Sequence, residues 1–217
     1  MLARISLGRV GHSLPTKELL AFQLAHARAR DAVWRELGCT SYVHGFNVRS
    51  LARDRAEYLR RPDLGRRLSD PSILQRGDYD AVIILADGLS AAAVDRHAGQ
   101  VLDALLPLLE GWKLAPIVVA EQARVAIADE IGELLNAKLS VILIGERPGL
   151  SSPDSLGAYL TWSPRIGRND AERNCVSNIR DEGLKPPLAA QRIAMLMKAA
   201  RGQQISGIRL GSALNIE

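Results

Sequence analysis

Three short, almost wholly apolar runs recur between helical patterns, and they constrain the fold of this 217-residue chain more than any other feature. They are AVIILA (81–86), APIVVA (115–120) and LSVILIG (139–145). A strand with one face in water alternates apolar and polar residues. A nearly continuous apolar run needs both faces covered, as in parallel sheets. Between the runs, Val94, Ala98, Val101, Leu105 and Leu108 recur at helical spacing over 90–109, and Ile127, Ile131 and Leu134 share one face over 125–136. This alternation predicts an α/β fold with an open, mainly parallel sheet carrying helices on both faces. LGAYLTW (156–162) and NCVSNI (174–179) are weaker strand candidates, and 187–201 forms a last amphipathic helix through Ile193, Met197 and Ala200.

The region before the first run reads differently. Thr16 follows a proline as a candidate N-cap, Glu18 lies in the first turn, and Leu20, Leu24 and Ala27 make one stripe of a helix. Residues 40–50 suit a short strand or a loop. DRAEYLRRPDLGRRLSDPS reads as a helix, a break at Pro62, a short second helix and a turn at Asp70-Pro71. We therefore divide the chain into an N-terminal helical, basic segment, 1–70, and an α/β domain, 71–217.

Composition narrows the function classes. Apolar content of 47% and charged content of 24% are those of a globular chain long enough to bury a core. No apolar stretch is long enough to span a membrane, and the first residues lack the pattern of a signal peptide. Two cysteines, Cys39 and Cys175, point to a reduced, cytoplasmic setting. Residues 1–70 hold thirteen Lys/Arg against seven Asp/Glu, while residues 71–217 hold fifteen against seventeen. A basic third can meet nucleic acid, phosphate or an acidic protein surface. With 4% aromatic residues there is little to stack on bases, and no nucleic-acid motif is present. We expect no nucleic acid and no membrane among its partners.

Ligands of open α/β sheets sit beyond the carboxyl ends of the strands. The three runs end there in Asp87-Gly88, Glu121-Gln122 and Glu146-Arg147, a candidate site whose bland alternative is a set of caps and surface pairs. The sequence contains no G-x-G-x-x-G after a strand, no Walker A and no G-x-S-x-G. No His/Cys/carboxylate set has metal-ligand spacing. His12, His26, His44 and His97 are scattered. The chain therefore suits binding or assembly better than catalysis on its own.

Several segments, taken together and in order, resemble the small subunit of ethanolamine ammonia-lyase: GRVGHSLPTKELLAFQLAHARARDAV, YLRRPDLGRRL (58–68), VIILADGLSAAAV (82–94), ARVAIADEIGELLNAKLSVILIGERPGLSSPDSLGAYLTWSPR (123–165) and ERNCVSNIRDEG (172–183). The resemblance covers nearly the whole chain. It implies a Rossmann-like cobalamin-binding domain and a lyase that converts ethanolamine to acetaldehyde and ammonia with adenosylcobalamin. It implies activity only with a large, TIM-barrel subunit, in a dodecamer of six large and six small chains, with this chain clamping cobalamin at the interface. The family's cobalamin contacts fall here on Val125, Glu146 and Cys175, with no catalytic and no metal-ligating residue of its own. Arg147 beside Glu146 would orient that carboxylate, contact a phosphate or make an interface salt bridge.

The alternative is a purely structural assembly subunit without essential cofactor contacts. DRHAGQ (95–100) misses the D-x-H-x-x-G pattern of a histidine lower ligand by one residue, so base-on binding is expected and His97 is an ordinary helix residue. We expect YLRRPDLGRR to dock on the large subunit, with Arg66 and Arg67 reaching the cofactor's phosphate as the second reading. Other family members carry a longer N-terminal extension linked to solubility and microcompartment packaging. Localisation is therefore expected to be cytoplasmic, with a bacterial microcompartment left open.

Overall fold

The computed structural model describes residues 13–38 and 45–214. His12, Cys39, His44 and part of the 40–50 segment lie outside them. Helix α1 (Thr16–Trp34) begins at its expected cap: Thr16 is already helical and Pro15, one residue earlier, occupies the cap without a side-chain hydrogen bond. Strand β1 (Phe46–Arg49) follows, then helix α2 (Arg55–Arg60), whose Asp54 cap accepts from the Glu57 N–H. Two short 3-10 turns, Leu64–Arg66 and Pro71–Ile73, lead to β2 (Tyr79–Ala86).

The stretch expected as one helix over 90–109 is continuous but not uniform. It runs through α3 (Ala91–Ala93), a π turn (Val94–Ala98), α4 (Gly99–Leu105) and a 3-10 turn (Leu106–Leu109) that holds Pro107. Strand β3 (Val118–Glu121) starts later than the apolar run APIVVA, because Pro116 has no N–H to give the ladder. Ala115 instead donates singly to the Ala81 carbonyl at 2.9 Å. Helix α5 (Ile127–Leu135) ends on Asn136, in the left-handed region at φ 58°. Strands β4 (Ala137–Gly145), β5 (Leu156–Trp162) and β6 (Arg173–Ile179) precede helices α6 (Pro186–Gln203) and α7 (Ile208–Leu214).

The six strands form one sheet in the order β1-β3-β2-β4-β5-β6. The first three pairings are parallel and the last two antiparallel. The fold is thus α/β with an open, mostly parallel sheet. Strand β1 lies in the 1–70 segment, yet it pairs with β3 as the edge of that sheet.

Alternation along β2 separates two cores. Ala81, Ile83 and Leu85 pack with Val101, Leu105, Ile193 and Met197 on the face covered by α4 and α6. Val82, Ile84 and Ala86 pack with Ile127, Ile131 and Leu135 of α5 on the other face. Burying each of the Val, Ile, Leu and Met side chains contributes about 1.5–3 kcal/mol. No helix among the described residues is long and apolar enough to cross a membrane.

Candidate functional site

The carboxyl ends of the central strands converge, but on one another. Asp87, the residue after β2, is buried and accepts the backbone N–H groups of Gln122 at 2.9 Å and Ala123 at 3.0 Å. Buried Arg55 donates to it at 3.1 Å, gives its Nε to the Val33 carbonyl and lies over the Tyr58 ring. Gln122 holds a left-handed backbone at φ 54° to make this contact. Glu121 pairs with Arg49 at 3.0 Å.

The crevice between β2 and β4, where the direction of chain progression reverses, is sealed by backbone. Leu89 donates to the Gly145 carbonyl at 2.9 Å. A Cβ at Gly88 would lie 2.2 Å from the Gly145 oxygen, and one at Gly145 would lie 2.0 Å from the Ser90 oxygen. Among the three strand ends, the caps-and-pairs reading therefore holds at Asp87 and Glu121, and a ligand must sit elsewhere.

The space lies off to one side, on the α5 face. Helix α5 covers β2, β3 and β4 there. Beyond β4 the sheet continues into β5 and β6, and a cavity of about 550 Å³ opens between their bare face and the turn that enters α5. Val125, from that turn, and Cys175, from β6, both line it. Tyr159 stands opposite Cys175 across the β5–β6 ladder. A register shift between Leu156 and Ala158, with Asn178 left-handed at φ 57°, sets this pairing. Cavities of about 440 Å³ beside α1 and about 530 Å³ at the opposite strand ends contain none of Val125, Glu146 and Cys175.

Glu146 leaves β4 beside this cavity without lining it. One carboxylate oxygen, Oε2, accepts the Ser155 hydroxyl at 2.5 Å and the Asn178 N–H at 3.2 Å. The other, Oε1, takes no hydrogen bond among the described residues, and Gly157 is the residue that lets it lie so close to β5. Burial pushes the Tyr159 phenol up from its ordinary value, and the neighbouring thiol and the Glu146 charge push it further. Cys175 is exposed as a residue, but desolvation of its thiol at the cavity wall pushes it up and Glu146 adds to that, although a hydrogen bond with Tyr159 opposes it. Val125 and Cys175, far apart in sequence, thus line one cavity, with Glu146 beside it. Arg147, Glu146's neighbour in sequence, forms no ion pair among the described residues and does not line the cavity.

The cavity is also rich in guanidinium groups. Arg173 makes two 2.7 Å hydrogen bonds to buried Asp129 and others to Thr161 and the Arg168 carbonyl. Arg168 pairs with Glu172. Arg124 stacks on the Tyr58 ring at 4.3 Å, and its N–H donates to the Gly65 carbonyl at 2.7 Å. The two arginines of the GRR stretch separate: Arg66 lines the cavity, whereas Arg67 makes a double hydrogen bond to Glu130. Tyr159 and Arg124 carry no motif that would have singled them out in the sequence.

His97 sits in the π turn, 2% exposed, with Nε2 3.7 Å from Asp154 and no hydrogen bond at either nitrogen. It is an enclosed core residue. His26 is exposed on α1 and stacks on Phe22. No group of three metal-ligating side chains occurs among the described residues.

Comparison with known proteins places these features in context. The family profile of the ethanolamine ammonia-lyase light chain (EutC) matches residues 1–211. The chain is 52% identical to the ethanolamine ammonia-lyase small subunit of Pseudomonas aeruginosa (strain LESB58) over 233 aligned residues, covering 99% of this chain and 85% of that one. It is 54% identical to the small subunit of Azotobacter vinelandii, covering 96% and 84%. It is 49% identical to that of Ralstonia nicotianae, covering 99% and 86%.

Proposed function

The chain belongs to the ethanolamine ammonia-lyase light-chain family, and on that premise we propose that it completes an adenosylcobalamin-dependent lyase by holding one side of the cofactor against a large catalytic subunit. The reaction is the conversion of ethanolamine to acetaldehyde and ammonia. The observation that carries this reading is that Val125 and Cys175 line one cavity with Glu146 beside it, and that no other element among the described residues covers it.

The residues suit the group. Val125, Ala126 and the Tyr159 ring offer an apolar wall to a flat macrocycle. The free Oε1 of Glu146 can accept an N–H from an amide on the corrin rim, and its Oε2 is anchored so that the acceptor is held in place beforehand. Arg124 keeps a buried Nε without a partner. The cavity is too small to enclose a corrinoid, so the rest of the enclosure is supplied by the large chain. When bound, adenosylcobalamin supplies the radical chemistry by homolysis of its cobalt–carbon bond. This chain's residues bind, orient and exclude water. His97 is enclosed under Asp154, so this histidine would take no part in holding the cofactor.

In this reading residues 71–217 form the Rossmann-like, cofactor-holding domain. Residues 1–70 add the edge strand, Arg66 and a basic surface for the large chain. The assembly is six large and six small chains, cytoplasmic or packaged in a microcompartment. The test is acetaldehyde release from ethanolamine and adenosylcobalamin with this chain, the large chain, or both. Activity only in the mixture is expected; full activity from the large chain alone would reduce this chain to an accessory.

A further inference from the structure

We infer that Arg66 and Arg124 form a preorganised oxyanion subsite at the end of the cavity, and that its occupant is the phosphodiester of the cofactor's nucleotide loop. The inference rests on the cobalamin reading above and adds a part of the ligand that Val125, Glu146 and Cys175 do not address.

Charge accounting around the cavity carries it. Four arginines line this space. Two are neutralised within the chain: Arg173 by Asp129 and Asp170, and Arg168 by Glu172. Arg66 and Arg124 have no carboxylate partner among the described residues. Solvated surface arginines without partners are common and need no explanation. Arg124 is not of that kind. It is half-buried, and its Nε is shut off from solvent without a hydrogen bond. Leaving a charged donor so placed is costly unless something accepts from it.

Its position is fixed before any ligand arrives. The guanidinium lies 4.3 Å from the centre of the Tyr58 ring, and Tyr58 is itself fully buried with its hydroxyl donated to the Ala123 carbonyl at 2.9 Å. The Arg124 backbone is tied to Gly65, and a Cβ at Gly65 would lie 2.8 Å from the Arg124 side chain. The 3-10 turn Leu64–Arg66 therefore places Arg66 on the same cavity as Arg124 although they are far apart in sequence. Two planar forks on one cavity without a carboxylate counter-charge match an oxyanion with several acceptor oxygens. The corrin ring and its amides are neutral at their rims, and the nucleotide loop supplies the one phosphate of a bound cobalamin.

The complex with the large chain is titrated, by the absorbance change on binding, with adenosylcobalamin and with adenosylcobinamide, which keeps the corrin but lacks the phosphodiester and base. Arg124→Gln, which preserves the stem over Tyr58, is expected to weaken adenosylcobalamin about tenfold or more and leave adenosylcobinamide within about twofold. Arg66→Gln is expected to act in the same direction. Equal weakening of both corrinoids, or of neither, would overturn the subsite. So would binding of inorganic phosphate that Arg124→Gln abolishes without changing cobalamin affinity, because the pair would then serve free phosphate. Val125→Trp, which fills the cavity, separates the two levels. It is expected to weaken both corrinoids; if it weakens neither, the cavity reading fails and this inference fails with it.

Discussion

The two faces of the sheet are built from the same strands and end up with different tasks. On one face α4 and α6 cover β2, β4, β5 and β6 together, and Leu143, Leu156 and Leu160 are all but removed from solvent. On the other, α5 covers β2, β3 and β4 and stops, leaving Tyr159 and Cys175 at a cavity wall. The difference follows from strand direction. Parallel neighbours need a crossover, usually a helix, and each crossover covers a face. β4, β5 and β6 are antiparallel, joined by the segments 146–155 and 163–172, neither of which contains an α-helix. The switch from parallel to antiparallel pairing thus creates the uncovered patch, and Val125 and Cys175 line the cavity there.

The contrast can be broken most severely at the seam between wall and core. Arg173 is buried with Asp129, tying β6 to the first turn of α5 across the floor of the cavity. Arg173→Ala strands that carboxylate, and we expect a loss of about 3–5 kcal/mol in urea unfolding, with cofactor affinity lost as the wall loosens. An unchanged midpoint would show that the two elements hold together without the pair.

Glu146→Ala should separate the faces cleanly. It removes an acceptor for Ser155 and Asn178, worth about 1–2 kcal/mol, and leaves the α4/α6 core untouched. Weakened adenosylcobalamin binding with intact assembly is the expected result. Unchanged affinity would favour the purely structural role.

The smallest effect lies at Cys175. Its thiol is pushed up by desolvation at the cavity wall and by Glu146, against the Tyr159 hydrogen bond, so the thiolate fraction near pH 8 falls below that of an ordinary cysteine. Alkylation there should be slow and should keep accelerating at higher pH, where an unperturbed thiol has levelled off. Adenosylcobalamin should slow it further in the complex with the large chain. Fast alkylation unaffected by the cofactor would place Cys175 outside the bound surface.

How far the sequence carries differs from element to element for physical reasons. AVIILA and LSVILIG were legible because a strand covered on both faces has few alternatives. LGAYLTW and NCVSNI, weaker by pattern, became β5 and β6. The start of β3 was displaced by Pro116, a local backbone effect that an apolar count does not see. The π turn at Val94–Ala98 has no marker in side-chain spacing. Glu146 was marked by its place at a strand end, whereas Val125 and Cys175 entered through resemblance to a family, and nothing in their spacing predicted that these two line one cavity.

By itself, then, the sequence determined the layer architecture and the family, because apolar periodicity and extended motifs are read along the chain. Only the tertiary structure decided where a ligand has room. Asp87 and its backbone partners close the central crevice, antiparallel pairing bares the flank, and Gly65 lets Arg124 pack against the turn that carries Arg66. Each of these is a contact between residues distant in sequence, set by packing density and hydrogen-bond satisfaction rather than by any local preference.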